Sequence, residues 1–176
     1  MELSTRKIIS GYTQPDGSFI YMPDNYISRA EMMKLIAAAL ELPLEENFNG
    51  SQFADWDSVV DWAKPFVGAL VKAGVVEGSL EDGKTYIHAG DNISREEMIA
   101  MAVRALYITV PTGSGAPDIE IADFESTSEW ARDFVGFSLN NNMINSDDGQ
   151  VRPLEYAKRS EAAMMLFKMI EYNNNL

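Results

Sequence analysis

Cysteine is absent from this chain of 176 residues. That excludes disulfides and thiolate metal sites and leaves the redox compartment open. Histidine occurs once, as His88, with no partner motif around it. No zinc site, Ser-His-Asp triad or dinucleotide loop is visible, and no metal or cofactor is expected. No uninterrupted apolar run approaches the roughly 18 residues of a membrane span. The first residues, Met1-Glu2-Leu3-Ser4-Thr5-Arg6-Lys7, lack the charged-then-apolar layout of a signal peptide. Either the chain stays inside the cell or its export signal lies outside this sequence. Basic residues are scarce too, 14 Lys and Arg against 27 Asp and Glu, for a formal charge of −13. Such a surface argues against non-specific nucleic-acid binding, although a few arginines can still make a local positive site.

What the chain does contain is repetition. Ile27-Ser28-Arg29-Ala30-Glu31 returns as Ile93-Ser94-Arg95-Glu96-Glu97, and more loosely as Ala157-Lys158-Arg159-Ser160-Glu161. The three arginines are 66 and 64 residues apart. A second block pairs Phe53-Ala54-Asp55 and Trp62-Ala63 with Ile121-Ala122-Asp123 and Trp130-Ala131, with seven residues from Asp to Trp each time. Between the blocks lie connectors punctuated by Asp16-Gly17, Asp82-Gly83 and Asp148-Gly149, pairs that mark turns. The third connector is the shortest. Gly149 precedes Arg159 by 10 residues, against 12 from Gly17 to Arg29 and from Gly83 to Arg95.

After each arginine, apolar columns such as Met33/Ile99/Ala163 and Ile36/Ala102/Leu166 fall at the spacing of an amphipathic helix. The units therefore read as helix, turn-rich loop, helix, and the fold class as all-α. One such unit cannot bury its apolar face alone, so the copies must pack together. The predicted organisation is repeat 1 over 1–44, repeat 2 over 51–110 and repeat 3 over 119–173, joined as one structural module. The leading helix of repeat 1 is largely missing, with only a stub around Leu3 to Lys7 able to remain. This predicts either a chain cut from a longer one or a partner that completes repeat 1.

The Ser-Arg-x-Glu phrase has a physical reading of its own. Ser28 and Ser94 are good N-caps, and Glu31 and Glu97 three residues later complete capping boxes. Arg29, Arg95 and Arg159 then stand at helix starts whose dipole favours an anion. Their planar forks suit a carboxylate. The competing reading is a cap whose Arg pairs with a neighbouring carboxylate; the same placement in three copies favours a ligand. Lys158 cannot cap as Ser does. Trp62 and Trp130 read two ways, as faces for sugar stacking or as core. Asp55 and Asp123 read as helix caps or as partners of sugar hydroxyls, with capping preferred.

These blocks resemble the S-layer homology (SLH) domain, a bacterial surface module usually found as three tandem copies. The resemblance rests on Phe53-x-Asp55, Trp62-Ala63, Gly74-Val75-Val76-Glu77-Gly78 and Ile93-Ser94-Arg95-Glu96-Glu97, with Ile27-Ser28-Arg29-Ala30-Glu31 closest to the family's terminal motif. It implies a pseudo-threefold arrangement and a non-catalytic, extracellular anchoring role at the bacterial cell surface. The implied ligand is an anionic secondary cell-wall polysaccharide carrying pyruvate ketals on N-acetylmannosamine. It would be held in grooves between repeats by the arginine of the terminal motif, which nominates Arg29, Arg95 and Arg159. Asn142 and Ser146 replace loop glycines in the third copy, and Ala89 stands where Pro23 and Pro153 do, so the copies are not expected to be equivalent. The alternatives are a protein-interaction or surface-layer assembly module without glycan binding and, behind it, a glycan hydrolase.

Overall fold

Helices begin where the capping residues say they should. The computed structural model describes residues 9, 11–106, 110, 113 and 115–174. The proposed stub of a leading helix at Leu3 to Lys7 lies outside the described residues. Within them are five α-helices: α1 (Arg29–Ala39), α2 (Lys64–Lys72), α3 (Arg95–Ala105), α4 (Arg132–Asn140) and α5 (Arg159–Asn174). Ser28 and Ser94 each accept from the amide three residues on, and Glu31 and Glu97 each accept from the N-cap amide, so both capping boxes are formed. Ahead of α5 only the glutamate half is formed, with Glu161 accepting from the Lys158 amide at 2.7 Å.

The all-α expectation is overturned. Two antiparallel hairpins interrupt the helices: β1 (Tyr12–Thr13) with β2 (Phe19–Ile20), and β3 (Ser79–Glu81) with β4 (Lys84–Tyr86). For the second hairpin the physical cause is its Asp-Gly corner. Asp82 and Gly83 both have positive φ, 48° and 76°, and that pair of left-handed residues matches the twist of a two-residue hairpin turn. In the third connector Asp148 and Gly149 adopt the same corner. With two fewer residues, pairing there shrinks to a single bridge, Asp147 to Gln150.

The core forms where the three motif segments meet. The Ile27 amide donates to the Ala157 carbonyl (3.0 Å), the Ala157 amide to Ile93 (2.9 Å), and the Ile93 amide to Ile27 (3.1 Å). This closes a three-membered ring of backbone hydrogen bonds between fully buried residues. Around it pack Met33 and Ile36 of α1, Ile99 of α3, and Met165, Leu166 and Met169 of α5, all essentially inaccessible to solvent. Helix α2 packs on α1 and α4 on α3. At the ends of α2 and α4, Gly74 (φ 71°) and Asn142 (φ 54°) take the same left-handed conformation. Asn tolerates that region better than other side chains, so the third copy keeps the turn without its glycine.

The same seams use up the helix starts. The amides of Arg29 and Ala30 donate to the carbonyls of Asp91 and Ala89, those of Arg95 and Glu96 to Glu155 and Pro153, and those of Arg159 and Ser160 to Asn25 and Pro23. Glu31 and Glu97 amides go to the capping serines. The expectation that helix amino termini help bind an anion is therefore corrected. Their first-turn donors are spent on joining one segment to the next.

Candidate ligand groove

Each motif arginine is held in the same way. Arg29 donates through Nε to the Ile87 carbonyl (3.2 Å) and through Nη1 to Glu97 Oε1 (2.8 Å). Arg95 donates through Nε to the Val151 carbonyl and through Nη1 to Glu161. Arg159 donates to the Tyr21 carbonyl (3.1 Å) and Glu31 Oε1 (3.0 Å), with its guanidinium 5.0 Å from the centre of the Tyr21 ring. The three ion pairs run round the molecule as a cycle, Arg29 to Glu97, Arg95 to Glu161 and Arg159 to Glu31. Each acceptor is the capping-box glutamate of another segment, so one carboxylate both fixes a helix start and neutralises an arginine. The arginine side chains are only 10–12% exposed. Breaking such a pair leaves a largely desolvated charge behind, which is costly.

The carbonyls that receive Nε are positioned by Asp55 and Asp123. Asp55 accepts from the amides of Ile87 (2.9 Å) and His88 (2.8 Å), and Asp123 from those of Val151 (2.8 Å) and Arg152 (2.7 Å). Neither carboxylate caps the short 3-10 turn that follows it. The helix-capping reading of Asp55 and Asp123 is thus corrected: they clamp a strained turn. His88 and Arg152 have φ of 53° and 51°, a region costly for residues with a Cβ. Two charge-assisted hydrogen bonds offset that cost. The spacing Asp-x6-Trp could not reveal this, because the partners lie about 30 residues downstream.

Trp62 and Trp130 do not sit within their helices. Helices α2 and α4 start at Lys64 and Arg132, after Ala63 and Ala131 as N-caps. The two indoles are 48% and 49% exposed, so neither is a core residue. Beyond that they differ. Trp130 lines a cavity of about 270 Å³ together with Arg29, Glu97, Gly78 and Arg104. Trp62 lies under the ammonium of Lys34, 5.5 Å from the ring centre.

Arg29 also borders a second cavity of about 490 Å³, with His88, Glu81 and Tyr156 on its walls. Around Arg95 a third, of about 250 Å³, is lined by Tyr26, Tyr156 and a set of charged residues. The positive charges there are matched. Arg95 pairs with Glu161, Arg152 with Asp147 and Lys158 with Asp24. The hydrogen bond that Arg152 donates to Asp147, with the charge of nearby carboxylates, raises the Arg152 pKa above its ordinary value. Among the described residues, no group of three or more acidic or histidine side chains could hold a metal ion.

Sequence reasoning missed two participants. Glu96 is 4% exposed and accepts from both the amide and the hydroxyl of Ser128, tying α3 to the turn that carries Trp130. Arg104 lines the Trp130 cavity from the last turn of α3. Both have unlike residues in the other copies, Ala30 and Ser160 for Glu96, Ala38 and Lys168 for Arg104. A search built on repeated residues passes over them.

The family model for the S-layer homology domain matches residues 52–99. The chain is 33% identical over 99% of its length to exoglucanase XynX of Acetivibrio thermocellus, and 32% identical over 99% to amylopullulanase of Thermoanaerobacterium thermosulfurigenes. It is 28% identical over 85% of its length to the S-layer protein sap of Bacillus anthracis. It spans only 15%, 9% and 17% of those proteins, so the activities of the whole proteins do not carry over to it. The matched segment contains Phe53, Asp55, Trp62, Gly78 and the Arg95 motif. The chain thus carries an S-layer homology domain, a bacterial cell-surface module, matched over residues 52–99.

Proposed function

We propose that the chain is a non-catalytic anchoring module whose three repeats, 1–44, 51–110 and 119–173, act as one unit to hold an attached protein on an anionic cell-wall polysaccharide. The groove at Arg29 and Trp130 is the principal site. The observation that carries this reading is the state of Arg29. Its Nε and Nη1 are fixed by Ile87 and Glu97, and among the described residues its Nη2 makes no hydrogen bond. That leaves a rigidly held donor at the wall of a cavity that also offers a half-exposed indole and the loop at Gly78. A preorganised guanidinium edge beside an aromatic face suits a sugar that bears a carboxylate, with little side-chain ordering left to perform on binding. The cavity is at the small end of ligand sites, which matches a single sugar residue with its acidic substituent.

The loop geometry restricts what can stand at the rim. Gly78 has φ of 86°, and a Cβ there would lie 2.7 Å from both the Tyr86 carbonyl oxygen and the Thr85 methyl. Glycine is required for β4 to approach the loop so closely.

The reading is tested by sedimenting purified cell-wall polymer with the protein, before and after mild-acid removal of its pyruvate groups. Binding to the native polymer that falls at least tenfold on depyruvylation is expected. Equal binding to both forms would end the carboxylate reading. Failure to bind either form, with retention on a surface-layer protein instead, would favour the assembly role.

A further inference from the structure

The carboxylates and guanidiniums around the Trp130 cavity do not contribute equally to its net charge. Arg29 is already neutralised: Glu97 Oε1 accepts from it, while Glu97 Oε2 accepts from the Ser94 amide. Each oxygen of that glutamate accepts a hydrogen bond within the protein, while the side chain, 34% exposed, still lines the cavity wall. Arg104, on the same cavity, is different. It is exposed, and among the described residues it has no carboxylate partner. Its guanidinium lies 4.9 Å from the centre of the Phe134 ring. Stacking on an aromatic leaves the edge of the fork, with its N–H donors, free to meet an anion. The only other carboxylate among the described lining residues is Glu77, on the exposed loop opposite.

The other copies lack this feature. Nine residues after their motif arginines stand Ala38, which has no charge, and Lys168, which is paired with Glu171 at 2.9 Å. Among the described residues, the cavity at Trp130 brings the fixed Arg29 of one copy together with Arg104 of the next, which is in no ion pair.

We propose that Arg104 is the residue that makes this groove select acidic glycan units over neutral ones, by supplying a guanidinium outside any ion pair that meets the ligand's carboxylate. Arg29 donates a fixed hydrogen bond to the acidic sugar, and because Arg29 is paired with Glu97, Arg104 supplies the larger share of the charge discrimination. This rests on the glycan reading above and adds to it a residue and a division of roles. Glu77 opposes Arg104 in the same cavity, so removing its charge should act in the opposite direction.

The test is titration calorimetry of the full chain with soluble native polymer fragments and with the same fragments depyruvylated. Arg104→Gln should lose at least tenfold in affinity for the native fragments, bind the depyruvylated fragments as the unaltered protein does, and show a shallower salt dependence. Arg104→Lys should recover part of the preference, and Glu77→Gln should raise affinity for the native fragments a few-fold. Lys168→Gln should change nothing. If Arg104→Gln keeps the full preference while Arg29→Ala loses binding, the role of Arg104 is refuted and the glycan reading stands. If Lys168→Gln loses the preference as much as Arg104→Gln, the charge effect is general and the assignment to this groove fails. If the unaltered protein binds neither fragment, both readings fall together.

Discussion

Trp62 and Trp130 occupy matching places in two repeats, precede matching helices and are almost equally exposed, yet they present different chemistry. Trp62 lies under the Lys34 ammonium, with Phe66 also 5.9 Å from that cation. Trp130 instead borders an open cavity with Arg29, Gly78 and Arg104. A repeated residue therefore does not imply a repeated site. The position of the indole is inherited from the repeat, whereas access to its face depends on the neighbouring helix, where Lys34 and Arg104 fall at different registers.

The largest effect expected from breaking this comparison comes from the turn that supports both Arg29 and its cavity. Asp55→Ala removes the acceptor for two amides and leaves His88 in a left-handed conformation without support. It should destabilise the chain by about 3 kcal/mol, measured by urea unfolding, and should weaken glycan binding in the same proportion that it unfolds the site. Gly78→Ala comes next. The clash with the Tyr86 carbonyl must shift the loop, costing about 2 kcal/mol and the shape of the Trp130 cavity, while leaving the surroundings of Trp62 intact.

Trp130→Ala and Trp62→Ala sharpen the contrast directly. Loss of Trp130 should weaken binding of polymer fragments about tenfold, with only a small change in thermal unfolding because the side chain is half exposed. Loss of Trp62 should leave binding within a factor of two. Comparable losses from both would show that the Lys34 cover does not matter. The smallest effect concerns the helix starts. Ser28→Ala and Ser94→Ala should each cost about 1 kcal/mol, whereas Lys158→Ala, where no side-chain cap exists, should be close to neutral.

Much of this organisation was legible in residue order. The capping boxes, the recurring arginine and the shortened third connector are local patterns, and local hydrogen bonding produces them. The hairpins were less visible because their strands are two or three residues long, too short for an alternating pattern, although Asp82-Gly83 already carried the turn. The cyclic ion pairs could not be read at all. Each joins residues about 65 or more positions apart, and they depend on the ring of backbone bonds among Ile27, Ile93 and Ala157. Asp55 shows the same limit. Its two partners lie more than 30 residues away, so the sequence suggested a cap where the fold builds a clamp.

The central claim, one glycan groove at Arg29 and Trp130, is tested most directly by following the three indole N–H resonances by NMR during titration with soluble native polymer fragments. Trp56 is packed against Phe48 and Phe53 and serves as an internal control. The account predicts that the Trp130 resonance moves and saturates while those of Trp56 and Trp62 stay in place. A Trp62 resonance that moves equally, or a Trp130 resonance that does not move while binding is measured by other means, would contradict it.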